Sequence, residues 1–242
     1  MDLDPVIMGL SQYAQQKNAN VYLVGGAVRD ILLKKSRVGK IDYDIAGTLP
    51  INDVEDYANS RGLEFTVKNK KLQVCQISIE SCVYEYARLR VEDYDNATDH
   101  NPSSVRFTSV VAEDAKRRDF TINSIYYDTH NRSLVDPLGG LEDLAGNLIR
   151  TCQDASVTLA CDPSRIIRLV ELAARLDFKI YDDVEKVAKA NFGNVFLLTK
   201  DRLQKEVARL KMFPKYQGES VLYKQRLLRL IKKLNLEEIL TQ

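Results

Sequence analysis

The segment Ile41-Asp42-Tyr43-Asp44-Ile45-Ala46 constrains this chain more than any other. It alternates apolar and acidic residues, which is the period-two pattern of a half-buried strand. On such a strand Asp42 and Asp44 share one face, and Ile41, Tyr43 and Ile45 take the other. Two adjacent carboxylates repel each other. A hard divalent cation with oxygen ligands, magnesium above all, relieves that conflict. A pair of such ions can activate an attacking hydroxyl and stabilise a departing pyrophosphate. The other reading of the triplet is an ordinary exposed strand face.

A second constellation lies just upstream. The apolar run Val21–Val24 enters Gly25-Gly26, and Ala27–Lys35 follows with helical character, Val28, Ile31 and Leu32 falling on one side. Two glycines between a strand and a helix let backbone N–H groups approach a phosphate, and a helix N-terminus adds positive potential. Arg29 can neutralise charge on the same group. The alternative is a plain strand–helix turn whose Arg29 and Asp30 pair on the surface. The segment is neither a P-loop nor G-x-G-x-x-G, so kinase and dinucleotide readings lose ground.

The rest of the chain divides by pattern. Val54–Arg61 predicts a surface helix stopped by Gly62. Gln73–Ile79 and Val83–Arg90 predict two strands in a hairpin turning near Glu80-Ser81. Asp93–Ser104 is polar and predicts a mobile loop. Phe120–Tyr127 is apolar and fits helix or strand. Asp136-Pro137 with Gly139-Gly140 predicts a turn. Beyond about Ile149 the pattern is helical. Asp162 suits an N-cap with Pro163 at the first helical position, and Ile166, Val170, Ala173 and Ala174 share a face. Val184–Ala190, Asp201–Leu210 and Val221–Leu240 predict further helices. The expected fold class is α+β, with a mixed-sheet head over residues 1–154 and an all-α neck, with the start of a helical body, over residues 155–242.

Composition narrows the chemistry. With 242 residues, 45% of them hydrophobic, the chain can bury one large core or two small ones. Its 35 basic and 34 acidic residues nearly cancel, so affinity for nucleic acid would have to come from a local patch. Only two histidines are present, His100 and His130, which turns attention from histidine bases to carboxylates. Cys75, Cys82, Cys152 and Cys161 form no C-x-x-C pair, which argues against a zinc site or disulfide framework and for a reducing cytoplasm. The first ten residues lack a basic, apolar leader, and no stretch approaches the length of a membrane span.

A phosphate-binding turn, a helix and then a strand with two metal-ligand carboxylates would set a triphosphate beside its metal. The stretches LVGGAVRD (23–30), IDYDIA (41–46), YEYARLR (84–90), RRDFTINSI (117–125), DPLGGLEDL (136–144) and DPSRIIRLVELAARLDF (162–178) occur in this order. With them the chain resembles the class II polymerase-β-like nucleotidyltransferases, the group of CCA-adding tRNA nucleotidyltransferases and bacterial poly(A) polymerases. The resemblance implies that Asp42 and Asp44 bind magnesium and that Glu85 is a third catalytic carboxylate. It implies that Gly25, Gly26 and Arg29 hold the triphosphate, and that Arg118, Asp119, Asn123 and Arg168 contact the nucleotide. Phe120 reads as core. Cys161 stands where the family has Glu, and Glu171 where it often has Arg. Longer members continue into helical domains that grip tRNA.

Asp162 and Arg165 carry a physical argument besides. Residues three apart near a helix start lie on one face. A carboxylate accepts hydrogen bonds and a guanidinium only donates. Cytosine and adenine each present an amino donor beside a ring-nitrogen acceptor, whereas guanine and uracil present the reverse. One Asp/Arg pair can therefore accept C and A and reject G and U. The plainer reading is an N-cap with a surface i,i+3 ion pair. Lys and Arg are dense in Lys200–Lys211 and Lys224–Lys233, so Lys224, Arg226 and Arg229 are candidate RNA contacts. The expected activity is template-independent addition of C and A to tRNA 3′ ends from CTP and ATP. The alternatives are a poly(A) polymerase, a CC- or A-adding enzyme and, from another class, a non-catalytic RNA-binding module.

Overall fold

A computed structural model describes residues 3–35, 41–80, 82–94, 102–211 and 220–241. The chain divides into two compact units. The first comprises Met1–Glu92, Val105–Arg118 and Asn123–Gly140; the second comprises Asp93–Ser104, Asp119–Ile122 and Leu141–Gln242.

The first unit begins with α1 (Pro5–Gln16), β1 (Val21–Val24), α2 (Gly26–Leu32), β2 (Ile41–Gly47) and α3 (Ile51–Ser60). The strands β3 (Glu64–Asn69), β4 (Val74–Ile79) and β5 (Cys82–Arg88) follow, then β6 (Arg90–Asp93), β7 (Ser104–Phe107), α4 (Val111–Lys116), β8 (Tyr126–Asp128) and β9 (Ser133–Val135). Seven strands form one mixed sheet in the order β3-β4-β5-β2-β1-β8-β9. Only the β2–β5 pair in it is parallel, and α3, β3 and β4 supply the long connection that a parallel pair requires.

Strand alternation decides what each face carries. On one face the Tyr43 ring stacks on Tyr84 with centroids 5.4 Å apart, as their direct register demands. Leu23, Ile45, Ile77, Tyr84 and Tyr86 are buried there, and Ile7, Leu10 and Ala14 of α1 and Val54, Tyr57 and Ala58 of α3 are buried with them. Three tyrosine hydroxyls in this layer keep partners, as buried hydroxyls must. Tyr84 donates to Asp4 Oδ1, Tyr57 to the Val6 carbonyl and Tyr86 to the Leu49 carbonyl, each at 2.8 Å. On the opposite face Tyr22, Val24 and Ala46 join Leu89, Ala115 and Tyr126 in a smaller apolar cluster.

The second unit contains β10 (Leu148–Ile149), α6 (Ala155–Cys161), α7 (Ser164–Leu176), β11 (Lys179–Ile180), α8 (Asp182–Ala190), α9 (Lys200–Lys211) and α10 (Ser220–Lys233), with α5 (Gly140–Ala145) at its start. The short β10 and β11 pair in parallel. Helix α7 is its centre: Ile166, Ile167, Leu169, Val170, Leu172, Ala173 and Ala174 are all buried, and α6, α9 and α10 pack around it. Among the described residues no helix is long and apolar enough to cross a membrane.

Several local expectations change. Ile31 is 43% exposed while its neighbours Arg29 and Asp30 are buried, so α2 turns its charged pair inward instead. Phe120–Tyr127 is neither one helix nor one strand but a 3-10 turn, Thr121–Asn123, followed by β8. Val221–Leu240 breaks after Lys233, where Asn235 adopts a φ of 58° and ends the helix. β3 and α4 are additional elements. β3 alternates Phe65 and Val67 with polar residues but is exposed along almost its whole length, Val67 included; pairing with β4 holds it in place. The ends of the predicted Asp93–Ser104 loop lie in β6 and β7, and residues 95–101 lie outside the described residues, as does Ser81 of the predicted hairpin turn.

Candidate active site

The acids of β2 lie where the alternation demands. Asp42 and Asp44 are exposed on one sheet face, and Asp44 is in direct register with Glu85 of the parallel neighbour β5. Three carboxylates thus occupy one small area. Their mutual effect appears at Glu85, whose carboxyl is held above its ordinary range. Restricted access of water is the largest cause and the negative charge of Asp44 the next; Asp42 adds to both, and Lys68 partly opposes them. Proton uptake is one way to relieve such crowding, and a bound cation is the other.

The donor set fits magnesium better than a protein-enclosed ion. Among the described residues no three His, Cys, Asp or Glu side chains converge to hold an ion by themselves. Magnesium characteristically takes one or two carboxylates and fills its remaining positions with water and substrate phosphate oxygens. Asp42 and Asp44, with Glu85 alongside, can supply that many hard oxygen ligands and leave one side open.

The Gly25-Gly26 turn lies directly against this edge. Gly25 has φ 74° and ψ −148°, near a backbone region that essentially only glycine enters. A Cβ at Gly25 would run into the Asp44 side chain, 3.2 Å from its Cβ and 3.1 Å from its Cγ and closer still to a carboxylate oxygen. The glycine therefore does two things: it permits the turn and lets the turn's backbone pass beside Asp44.

Arg29 differs from both sequence readings. It is neither an open phosphate contact nor half of a surface pair. Its side chain is 3% exposed, and its Nε and Nη2 donate to Asp30 Oδ1 at 2.9 and 2.7 Å. Its Nη1 donates to Asn123 Oδ1. Burial leaves a guanidinium few options but internal acceptors, so Arg29 ties α2 to the turn that bears Asn123.

Arg118 is anchored along one edge of its guanidinium and keeps 16% side-chain exposure. Its Nε donates to Tyr126 Oη at 2.7 Å and to Asp114 Oδ2 at 3.1 Å, and its Nη2 lies 3.0 Å from the same carboxylate oxygen. Its guanidinium also lies over the Tyr126 ring, 5.1 Å from the centroid. Burial opposes its charge, but the fields of Tyr126, Asp114 and Asp44 outweigh that and hold its pKa above the ordinary value. Asp114 and Tyr126 were not among the sequence candidates. The signal was present for Asp114, which sits three and four residues before Arg117 and Arg118, the spacing of helical ion pairs.

The remaining candidates belong to the second unit. Asp119 is 8% exposed, and its Oδ2 accepts from Arg168 Nε at 3.0 Å and from Arg168 Nη2. Asp119 holds the Arg168 pKa above the ordinary guanidinium value despite partial burial. Phe120 is fully buried, as core. Helix α7 starts one residue later than expected, at Ser164 with Pro163 in the cap position; Asp162 just before it accepts through Oδ1 from the Ser164 N–H at 3.0 Å and the Ser164 hydroxyl at 2.6 Å. Asp162 Oδ2 also lies 3.5 Å from Arg202 Nη2, an ion pair with helix α9. Arg165 donates from Nη1 to the Thr158 carbonyl at 3.2 Å. Glu171 pairs with Arg175 at 3.2 Å. On α10, Lys224 and Arg229 are exposed and Arg226 is half-buried; Arg226 reaches back 3.1 Å to Asp177 at the end of α7, and Arg229 lies 4.0 Å from the same carboxylate.

Residues 21–150, more than half of the chain, match the family described as the poly A polymerase head domain. The CCA-adding enzyme of Geobacillus thermodenitrificans is 32% identical over 209 residues, which is 86% of this chain and 49% of that protein. The chain thus spans about half the length of the curated relatives it matches. The crystal structure of the Bacillus stearothermophilus CCA-adding enzyme in complex with CTP superposes with a TM-score of 0.77 at 26% identity, covering 97% of this chain and 53% of the other. A tRNA nucleotidyltransferase complexed with a primer tRNA and an incoming ATP analog gives 0.75 at 29% identity, covering 96% and 62%. Six ordered motifs, the mixed sheet with its acidic edge and these matches agree that the chain belongs to the CCA-adding enzyme and poly(A) polymerase family of class II nucleotidyltransferases.

Proposed function

We propose that this chain is the catalytic head and neck of an RNA 3′-terminal nucleotidyltransferase that adds C and A to tRNA from CTP and ATP, releasing pyrophosphate. The head in this reading is residues 1–154 and the neck begins at residue 155. The observation that carries the proposal is the acidic edge: Asp42 and Asp44 on one face of β2, Glu85 in register with Asp44, and the Gly25 backbone passing against the Asp44 carboxylate.

In this reading Asp42 and Asp44 hold magnesium, assisted by Glu85. The ion, when bound, supplies positive charge to the triphosphate and favours ionisation of the attacking 3′-hydroxyl. The chain's own residues do the rest. The Gly25-Gly26 turn brings backbone N–H groups to the triphosphate beside the acids. Arg118 presents the free edge of its guanidinium to phosphate or sugar oxygens. Arg29, through Asp30 and Asn123, keeps α2 and the Asn123 turn in register. Asp162 and Arg165 read the base edge, Asp119 holds Arg168 for the nucleotide, and Lys224 and Arg229 attract the RNA backbone. Four free thiols suit the cytoplasm.

The test incubates the protein with magnesium, one labelled nucleotide at a time, and tRNAs truncated before C, CC or A. Stepwise incorporation of C and then A is the expected outcome. Repeated A addition to any RNA would identify a poly(A) polymerase. RNA binding without incorporation would identify a binding module. Asp42→Ala and Asp44→Ala should each abolish incorporation while melting close to wild type. Turnover near normal in either would remove the mechanism.

A further inference from the structure

The first unit contains a buried ionic cluster of which the reaction described above uses only Arg118 directly. At its centre is Asp114 of α4, with no exposed surface. Asp114 Oδ1 accepts from the Arg90 backbone N–H at 3.1 Å and from Arg117 Nε at 2.8 Å. Asp114 Oδ2 accepts from the Tyr126 hydroxyl at 2.7 Å and from Arg118 Nε at 3.1 Å, with Arg118 Nη2 at 3.0 Å. Tyr126 Oη in turn accepts from Arg118 Nε at 2.7 Å. Arg118 is therefore held by a closed triangle of Asp114, Tyr126 and itself.

A carboxylate offers about four lone-pair positions, and these donors occupy them. Burying a carboxylate among arginines is a poor way to gain stability, because desolvation consumes much of the attraction. What the arrangement does provide is orientation. The anchors engage Nε and Nη2 on one side of the guanidinium, and Nη1 has no protein partner among the described residues. The side chain retains 16% of its exposure. Ala115 and Tyr126 also belong to the apolar cluster containing Val24 and Ala46. Val24 is the cross-strand partner of Asp44, and Ala46 lies two residues beyond Asp44 on the same strand face. The anchor is thus packed against the strands that carry the acidic edge.

We propose that Asp114 is a positioning residue, which acts with Tyr126 to fix the Arg118 guanidinium so that its free edge meets the oxygens of the incoming nucleoside triphosphate. The proposal rests on the assignment of Arg118 as a nucleotide contact. It adds that the contact works only because an internal acid has already aimed it, so that the orienting entropy is lost on folding and not on binding.

A double-mutant cycle on the full chain tests this. Equilibrium affinities for ATP and CTP, and for RNA, are measured with magnesium for wild type, Arg118→Ala, Asp114→Asn and the double variant, with thermal melting for each. Loss of a charge-assisted contact weakens triphosphate binding by roughly ten- to a hundredfold. We expect Asp114→Asn to reproduce most of that loss, RNA affinity to stay unchanged, and the double variant to bind triphosphate no worse than Arg118→Ala alone. Residues that act as one unit are non-additive in this way. Additive losses, or an Asp114→Asn protein that folds and binds triphosphate normally, overturn the positioning role. If Arg118→Ala itself leaves triphosphate affinity unchanged, the assignment of Arg118 falls, and this proposal with it. Should Asp114→Asn fail to fold, Tyr126→Phe serves in its place, since it keeps the ring and the buried acid and removes only the bridging hydroxyl. Its loss should be smaller and should vanish in the Arg118→Ala background; persistence there overturns the proposal.

Discussion

Replacing Gly25 by alanine should separate backbone strain from damage to the acidic edge. Gly25 has φ 74° and ψ −148°, and entry of an L-residue into such a region costs about 1–3 kcal/mol. For a chain of this size 1 kcal/mol shifts the melting temperature by roughly 2–4 °C, so strain alone lowers it by about 2–12 °C. The added Cβ must also clear Asp44, whose Cβ would lie 3.2 Å away and Cγ 3.1 Å. The Asp44 Cβ is fixed by the strand, so the turn and the carboxylate must move apart. Misplacing a reacting constellation by about 1 Å costs on the order of a hundredfold in rate. Gly62→Ala is the control. Gly62 has φ 64°, and nothing lies within 4 Å of the Cβ that would be added there, so it reports strain without collision. The assay is labelled-nucleotide incorporation alongside thermal melting. We expect kcat to fall about a hundredfold or more in Gly25→Ala and to hold in Gly62→Ala, with comparable losses of stability. Equal kcat in the two variants would refute the idea that the turn's approach to Asp44 sets the site.

Other predictions follow from particular contacts. The folded-state pKa of Glu85 is raised above the ordinary 4.5, so the native state binds more protons than the unfolded chain and stability falls as pH rises through the raised value. Glu85→Gln should therefore raise the melting temperature near pH 7 without magnesium and give no gain near pH 4; an equal gain at both would show that packing, not charge, is responsible. Arg165→Ala should narrow discrimination against GTP and UTP by about ten- to a hundredfold in kcat/KM, and a uniform fall for all four triphosphates would make Arg165 a structural contact to Thr158. Charge reversal at Lys224 and Arg229 should weaken RNA binding and flatten its salt dependence by roughly 0.7–0.9 in log–log slope per lost phosphate contact, whereas unchanged affinity would mark a merely solvated face. Arg226 is left out of that test because it is half-buried and bridges Asp177 at 3.1 Å, whereas Arg229 is 73% exposed and approaches Asp177 only to 4.0 Å.

The sequence by itself determined the period-bearing parts of this protein. Alternation along β2 required Asp42 and Asp44 to share a face, and the strand does this. Asp162 and Pro163 announced the start of α7 to within a residue, because the Asp162 carboxylate acts on the nearby Ser164 N–H and needs no distant partner. Gly25 marked a turn because few other residues can occupy it. Tertiary structure decided what depends on partners far along the chain. Glu85 reads alone as one more exposed acid; only the parallel register of β5 with β2, across some forty residues, places it beside Asp44. Arg29 looked like a phosphate contact or a surface pair, and packing of α2 turned it inward to Asp30 and Asn123. Arg226 looked like its neighbours Lys224 and Arg229 until α10 lay beside the end of α7 and left it half-buried against Asp177. Local pattern reports which way a side chain faces on its own element. It does not report what another element brings opposite, and a charged group is assigned its role by that neighbour, through the electrostatic and desolvation terms that only packing sets.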